Sequence, residues 1–329
     1  MVPNYLIALI EMNISQVSHF TLSAYIDIGL FKYIVFLFLM CIYIVIISCN
    51  VLLIVVICVN RSLHEPMYMF LCSLFVNELY GSTGLLPFLL VQILSDVHTV
   101  SVPLCFLQIF CLFMYGNVEF YNLAAMSYDR YLAICHPLQY NTQMQMNTVI
   151  RLVVLSWFLP LLNIIVMISL NASSRLCGNI IDKVYCINYN VTKLVCSGAA
   201  ASNIYGLVYT FTVVIGLAAL IVYTYIRILK VCFSGSKQTR QKAVSTCTPH
   251  LASLLNFSFG CFFEILQSRF DMSSVPGVLR IILSLYFVTC QPLFNPVVYG
   301  LKLKKIYLIL SAHLLLHPTI TREQDTKIL

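Results

Sequence analysis

The sequence predicts an all-α membrane protein, a seven-transmembrane helix bundle with its N-terminus outside and its C-terminus cytoplasmic. Three observations carry that expectation: a scarcity of charge, seven long apolar runs, and a one-sided distribution of Lys and Arg. Of 329 residues, 60% are hydrophobic and 9% charged, against roughly 25% charged in a soluble domain. So few charges cannot cover a water-facing surface.

A run of about 20 apolar residues crosses a bilayer as a helix. Seven runs qualify, at 33–59, 66–94, 103–127, 149–170, 198–226, 243–268 and 277–300. Several exceed the minimum, which implies tilt or extension beyond the lipid. The connections are short, so residues 33–305 read as one membrane domain, 1–32 as an outer segment and 306–329 as a cytoplasmic tail. MVPNYLIALIE lacks a basic n-region and a cleavage site, and Met12 follows it directly. Residues 1–11 read as a candidate upstream extension, with the first span as the targeting signal.

With the N-terminus outside, the inner loops and tail hold 13 of the 19 basic residues, from Arg61 to Lys327. That bias sets the orientation. The net charge of +7 then belongs to the membrane surface rather than to nucleic acid. The glycosylation sequons at Asn13, Asn171 and Asn190 fall on outer segments, whereas those at Asn60 and Asn256 do not.

Most of the 14 cysteines lie in apolar helices, where a thiol is a small hydrophobe. Four are outside: Cys105 at the top of the third span, and Cys177, Cys186 and Cys196 after the fourth. They allow three pairings. The preferred one joins Cys105 to Cys186 and closes the loop on itself through Cys177 and Cys196. No His/Cys cluster suggests a metal site.

Acidic residues inside a spanning helix are costly and are candidates for function. At 1.5 Å per residue, Glu78 lies ~18 Å, Glu119 ~16 Å and Asn50 ~15 Å above the inner ends of their spans. Asn295 sits somewhat lower. Two carboxylates at one level without a basic neighbour cannot both stay ionised in a dry site. One is protonated within a hydrogen-bonded cluster, or the two share a cation such as sodium. Glu264, near the outer end of the sixth span and close to Arg269 and Asp271, reads equally as an interface residue or a ligand contact.

MSYDRYLAICHPLQY (126–140) places Asp129, Arg130 and Tyr131 at the inner end of the third span. Arg130 can pair with Asp129 or, if the helices part, with a partner; a pair of that kind is a two-state element. An interfacial Arg that simply snorkels is the plain alternative. The spacing of four motifs decides between them. MSYDRYLAICHPLQY, LHEPMYMFL (63–71), KAVSTCTPHL (242–251) and PLFNPVVYGLK (292–302) occur in that order. The chain resembles the rhodopsin-like G-protein-coupled receptors, and among them the vertebrate odorant receptors, from about Met12 to Lys305.

The resemblance implies that Asp129, Arg130, Tyr131, Asn295, Pro296 and Tyr299 form the activation switch, with Tyr225 packing against Arg130 and Tyr299 when active. It implies a Cys105–Cys186 disulfide and a polar core of Asn50, Glu78 and Glu119. Glu78 stands where the family more often has Asp, and NFSFG (256–260) departs from the usual aromatic-Tyr-Gly stretch. Both features lean towards the receptors of aquatic vertebrates. The implied ligand pocket is formed by Leu112, Phe113, Gly116 and Asn117 of the third span and Tyr209 of the fifth. Cys261, Phe262 and Ile265 of the sixth and Leu285, Val288 and Thr289 of the seventh complete it. Leu112 offers no counter-ion for an amine, and the seventh span has no Lys before Lys302 for a retinal Schiff base. A mostly apolar pocket with Asn117, Tyr209 and Thr289 as handles suits a small neutral odorant. The expected partners are that odorant, a heterotrimeric stimulatory G protein of the olfactory type, and the bilayer. A receptor for another small ligand is the nearest alternative. A transporter would show internal repeats, and no nucleophile–base constellation points to an enzyme.

Overall fold

The computed structural model describes residues 17–172, 174–196, 199–234, 237–270 and 275–314. Seven long helices follow one another: α1 (Phe31–Val59), α2 (Pro66–Leu94), α3 (Val102–Cys135), α4 (Met146–Ala172), α5 (Ala199–Ser234), α6 (Lys237–Arg269) and α7 (Gly277–Lys302). All seven are long and apolar enough to span a membrane. An eighth, α8 (Lys304–Leu314), follows α7 after Leu303. Three short strands gather at one end of the bundle: β1 (His19–Leu22), β2 (Thr99–Ser101) and β3 (Ile180–Ile181). β1 lies between them, antiparallel to β2 and parallel to β3.

Several helices outrun their apolar runs. α3 continues through Asp129-Arg130-Tyr131 to Cys135, and α5 continues to Ser234. Apolarity marks only the length in lipid, whereas a helix continues until something stops it. α3 ends just before His136 and Pro137, and the residue preceding a proline is pushed away from helical geometry. Pro66 opens α2 and Pro103 lies in the first turn of α3, where the missing N–H costs nothing.

α3 is the axis of the bundle, packed against α2, α4, α5 and α6, while α7 lies against α1, α2 and α6. Apolar side chains such as Phe38, Val55, Phe158, Phe211 and Leu255 face outward. They form the belt expected of helices whose surroundings are hydrocarbon rather than water. Two disulfides clamp the strand end: Cys105–Cys186, with Cα atoms 5.4 Å apart, and Cys177–Cys196 at 5.0 Å. The first ties the segment after α4 to the start of α3. Gln108, one turn into α3, accepts the backbone N–H of Cys186 at 3.1 Å.

α2 and α3 pack closely at Gly81, where a Cβ would fall 2.3 Å from the Tyr115 ring. Small residues are what allow such contacts between spanning helices. Gly81→Ala is expected to displace Tyr115 and destabilise the bundle by about 1–3 kcal/mol, the usual effect of overpacking. Gly206→Ala on α5, where a Cβ meets nothing within 4 Å, should leave thermal unfolding of the purified protein unchanged.

Candidate functional site

Half-way along the bundle a polar core joins four helices. Glu78 of α2 and Glu119 of α3 are both fully buried, and the Asn295 amide of α7 donates to both, at 3.0 Å to Glu119. Tyr115 donates its hydroxyl to the second oxygen of Glu78 at 3.1 Å. Asn77 and Gln291 donate to Glu119, each at 3.0 Å. Ser253 of α6 closes the ring by donating to Asn295 Oδ1 at 2.7 Å. Every donor in this ring is neutral.

Asn50 stands apart from the carboxylates, contrary to the expected triad. Its amide donates instead to the carbonyls of Ile46 at 2.9 Å and Pro292 at 3.0 Å. The reason lies in the sequence. Pro296 has no N–H, so the carbonyl four residues earlier, that of Pro292, loses its helical partner. Asn50 fills that vacancy and thereby ties α1 to α7. The core residues that sequence reading missed are Asn77, Tyr115, Ser253 and Gln291. Only Gln291 carried a signal, as the polar residue immediately before the PLFNPVVYGLK stretch.

At the Asp-Arg-Tyr end, Arg130 pairs with its neighbour Asp129, which is fully buried. Tyr140, on the short helix Pro137–Gln143, donates to the other oxygen of Asp129 at 2.7 Å. Tyr131 meets His136 at 2.9 Å. Tyr299 is buried, its ring edge-on to Phe75 at 6.4 Å. Tyr225 packs in a different cluster, with Ile221, Ile228 and Cys247. Its hydrogen bond is to His250 Nδ1 at 2.5 Å, not to Arg130 or Tyr299. His250 Nε2 faces the Leu123 carbonyl at 2.9 Å. A carbonyl only accepts, so the imidazole proton sits on Nε2 and Nδ1 receives the Tyr225 hydroxyl.

The expected ligand pocket is only partly assembled. Tyr209 donates to Asn117 Oδ1 at 3.1 Å, bringing those two handles together. Leu112 and Val288 are buried in one apolar cluster with Leu285 against it, and Phe113 packs in another. Gly116 faces Phe287, 3.7 Å from where a Cβ would sit. Cys261 is half-buried, and Thr289 spends its hydroxyl on the Leu285 carbonyl at 2.7 Å. Phe262 and Ile265 are corrections: they are 56% and 50% exposed, on the outer side of α6. Depth along a helix can be counted from a motif, but the face cannot. On α6 the inward face carries Phe257, Gln267 and Ser268 instead.

The end of α6 nearest the strands holds a feature the sequence left open. Lys183, from the segment between the disulfide cysteines, pairs with Glu264 at 3.2 Å. It also donates to Gln267 at 3.1 Å and Ser284 at 3.4 Å. Tyr185 donates to the second Glu264 oxygen at 3.2 Å. Glu264 is therefore an interface residue. Burial pushes the Lys183 ammonium below the usual lysine value, and Glu264 pulls it back up. Of the sequons, Asn171 is 1% exposed and its amide donates to Asn188 at 2.5 Å, so it is closed to a glycan in this fold. Asn190 is half-buried. Asn13 and Asp271 lie outside the described residues.

The model of the olfactory receptor family matches residues 39–317. The chain belongs to the olfactory receptor family. Mouse (Mus musculus) olfactory receptor 6E1 is 32% identical over 308 residues, 92% of this chain and 96% of the relative. Human (Homo sapiens) olfactory receptor 10A3 is 35% identical over 263 residues, 79% of this chain and 83% of the relative. The chain is thus an odorant receptor, a multi-pass protein of the cell membrane and not an enzyme.

Within this receptor the Asn295 amide is what lets two buried carboxylates share one level. Asn295→Ala removes that common donor and should destabilise the receptor by about 1–3 kcal/mol, the cost of buried groups left unpaired. Glu78→Gln keeps the shape and leaves a single acid in the core, and is expected to unfold within a few degrees of the parent. Thermal unfolding of the purified receptor compares the two.

Proposed function

We propose that the receptor binds a small odorant between its helices and converts that binding into activation of a stimulatory, olfactory-type G protein on the cytoplasmic side. In this reading the strand and disulfide end faces outward and the Asp-Arg-Tyr end faces inward. The observation that carries it is the closed Asp129–Arg130 pair. Arg130 is held by its own buried neighbour, and Tyr140 secures that neighbour from the next helix. A partner can take the guanidinium only when this contact opens, so the pair has two defined arrangements. A ligand shifts such an equilibrium by as much as its affinity differs between the two.

The odorant is best accommodated beside the Asn117–Tyr209 contact, which joins α3 to α5 and offers a hydroxyl and an amide to a neutral guest. Apolar neighbours such as Leu112 and Phe113 supply the remaining contact. The polar core is suited to hold a sodium ion. Besides the two carboxylates it contains the buried oxygen of Asn77, whose amide nitrogen already donates to Glu119 and whose oxygen has no hydrogen-bond partner. Hard oxygen ligands of this kind suit a small hard cation. Bound there, sodium would supply positive charge between Glu78 and Glu119, where the Asn295 amide now bridges them.

Cyclic AMP in cells that co-express the receptor and the olfactory G protein tests the reading, across a panel of volatile and water-soluble odorants. Arg130→Ala is expected to abolish an odorant response at equal surface expression. A response that persists undiminished in Arg130→Ala would remove Arg130 from the switch.

A further inference from the structure

The stretch NFSFG (256–260), which neither the Asp-Arg-Tyr pair nor the odorant crevice uses, forms the seam between α6 and α7. Phe257 tilts against Phe287 with ring centres 6.1 Å apart, and Phe259 stands edge-on to Tyr286 at 5.4 Å. Gly260 lets the two helices close up: a Cβ there would lie 3.3 Å from the Phe287 ring and 3.4 Å from its Cα. Asn256 supplies the polar contacts. Its amide donates to Gln291 Oε1 at 2.5 Å. Its oxygen accepts from the Tyr286 hydroxyl at 2.5 Å and from the Cys290 thiol at 3.5 Å.

The direction of these bonds is fixed from the polar core. Gln291 Nε2 faces Glu119 Oε1 and Ser253 Oγ, each at 3.0 Å, and the Ser253 carbonyl at 3.3 Å. A main-chain carbonyl only accepts, so the amino end of Gln291 points to the core and its oxygen points away. That oxygen receives the Asn256 amide, which leaves the Asn256 oxygen for Tyr286. Asn256 thus sets how Gln291 is turned, and it joins half-buried Tyr286 to the enclosed acids.

Its neighbours Leu255 and Phe259 face outward. In hydrocarbon no water replaces a broken bond at such a seam. What α6 covers gives the seam its consequence. Towards the Asp-Arg-Tyr end, Cys247 of α6 packs with Tyr225, Ile228 and Cys232 of α5, and the two thiols are 5% and 6% exposed. They stay covered only while α6 keeps its place.

We propose that Asn256 is the latch of the ligand-free receptor, a positioning residue that holds α6 against α7 and keeps the inner ends of α5 and α6 together. The latch deepens the two-state reading above, and its link to signalling rests on that reading. Its hold on α6 is measurable without odorant or G protein. Asn256→Leu loses two hydrogen bonds between the helices, and Tyr286→Phe loses one. One such bond in a membrane protein shifts an equilibrium by about threefold.

The test labels the purified full-length parent, Asn256→Leu and Tyr286→Phe with a water-soluble maleimide, with the rate at each cysteine read by mass spectrometry. Cys247 and Cys232 are the reporters. Cys111 of α3, packed against Gly84 of α2, is the control. The reporters are expected to react about tenfold faster in Asn256→Leu and about threefold faster in Tyr286→Phe, with Cys111 at the parent rate. At equal surface expression both variants should also raise ligand-free cyclic AMP in cells with the olfactory G protein, which a loss of packing alone would not do. Equal acceleration at Cys111 would mean general loosening and would overturn the proposal. So would reporters that label at the parent rate in both variants. Faster labelling with unchanged cyclic AMP would uphold the latch and count against the coupling. Tyr286→Phe, which keeps its ring, carries the test if Asn256→Leu fails to fold.

Discussion

Hydrocarbon offers a polar group no hydrogen-bond partner, and the centre of this molecule is organised by that constraint. Two carboxylates on adjacent helices have to be satisfied from within, and the Asn295 amide does so by donating to both. The consequence spreads outward. Ser253 draws α6 onto Asn295, Gln291 draws α7 onto α3, and Tyr115 braces α2 across the gap left by Gly81. Four helices are thereby held at one depth by hydrogen bonds that only their mutual packing makes possible.

The two ends of the bundle are governed by the same rule in different forms. At the Asp-Arg-Tyr end, the charge pair joins sequence neighbours on one helix, with Tyr140 of the next short helix holding the carboxylate, so the guanidinium can leave without separating two long helices. At the strand end, the Lys183–Glu264 pair joins two distant segments, 81 residues apart, and is nearly enclosed. Removing one partner of such a pair strands a buried charge. The first arrangement suits a switch and the second suits a fixed wall. α3 connects them, anchored at one end by Cys105–Cys186 and carrying Glu119 and Arg130 along its length.

α7 shows how a local defect can become a long-range contact. Pro296 deprives the Pro292 carbonyl of its helical donor, and Asn50 supplies one from α1. The proline is therefore a docking point as well as a potential kink, and the seventh helix is tied to the first at the level of the polar core.

Along each helix, the sequence by itself determined a great deal. Apolar length located seven spans, and counting 1.5 Å per residue placed Glu78, Glu119 and Asn50 at one depth. Adjacency alone put Asp129 beside Arg130. Rotation about the helix axis was beyond its reach: Phe262 and Ile265 turned out to face outward, and Asn50 faced a carbonyl rather than the acids. In helices this apolar on every side, the period of hydrophobicity no longer marks an inner face. The partners of buried polar groups then depend on how neighbouring helices are turned. That is why Ser253, Gln291 and His250 entered the account only with the tertiary structure. The Lys183 wall entered with it for a related reason, since its partners come from a loop and two helices that only the folded chain brings together.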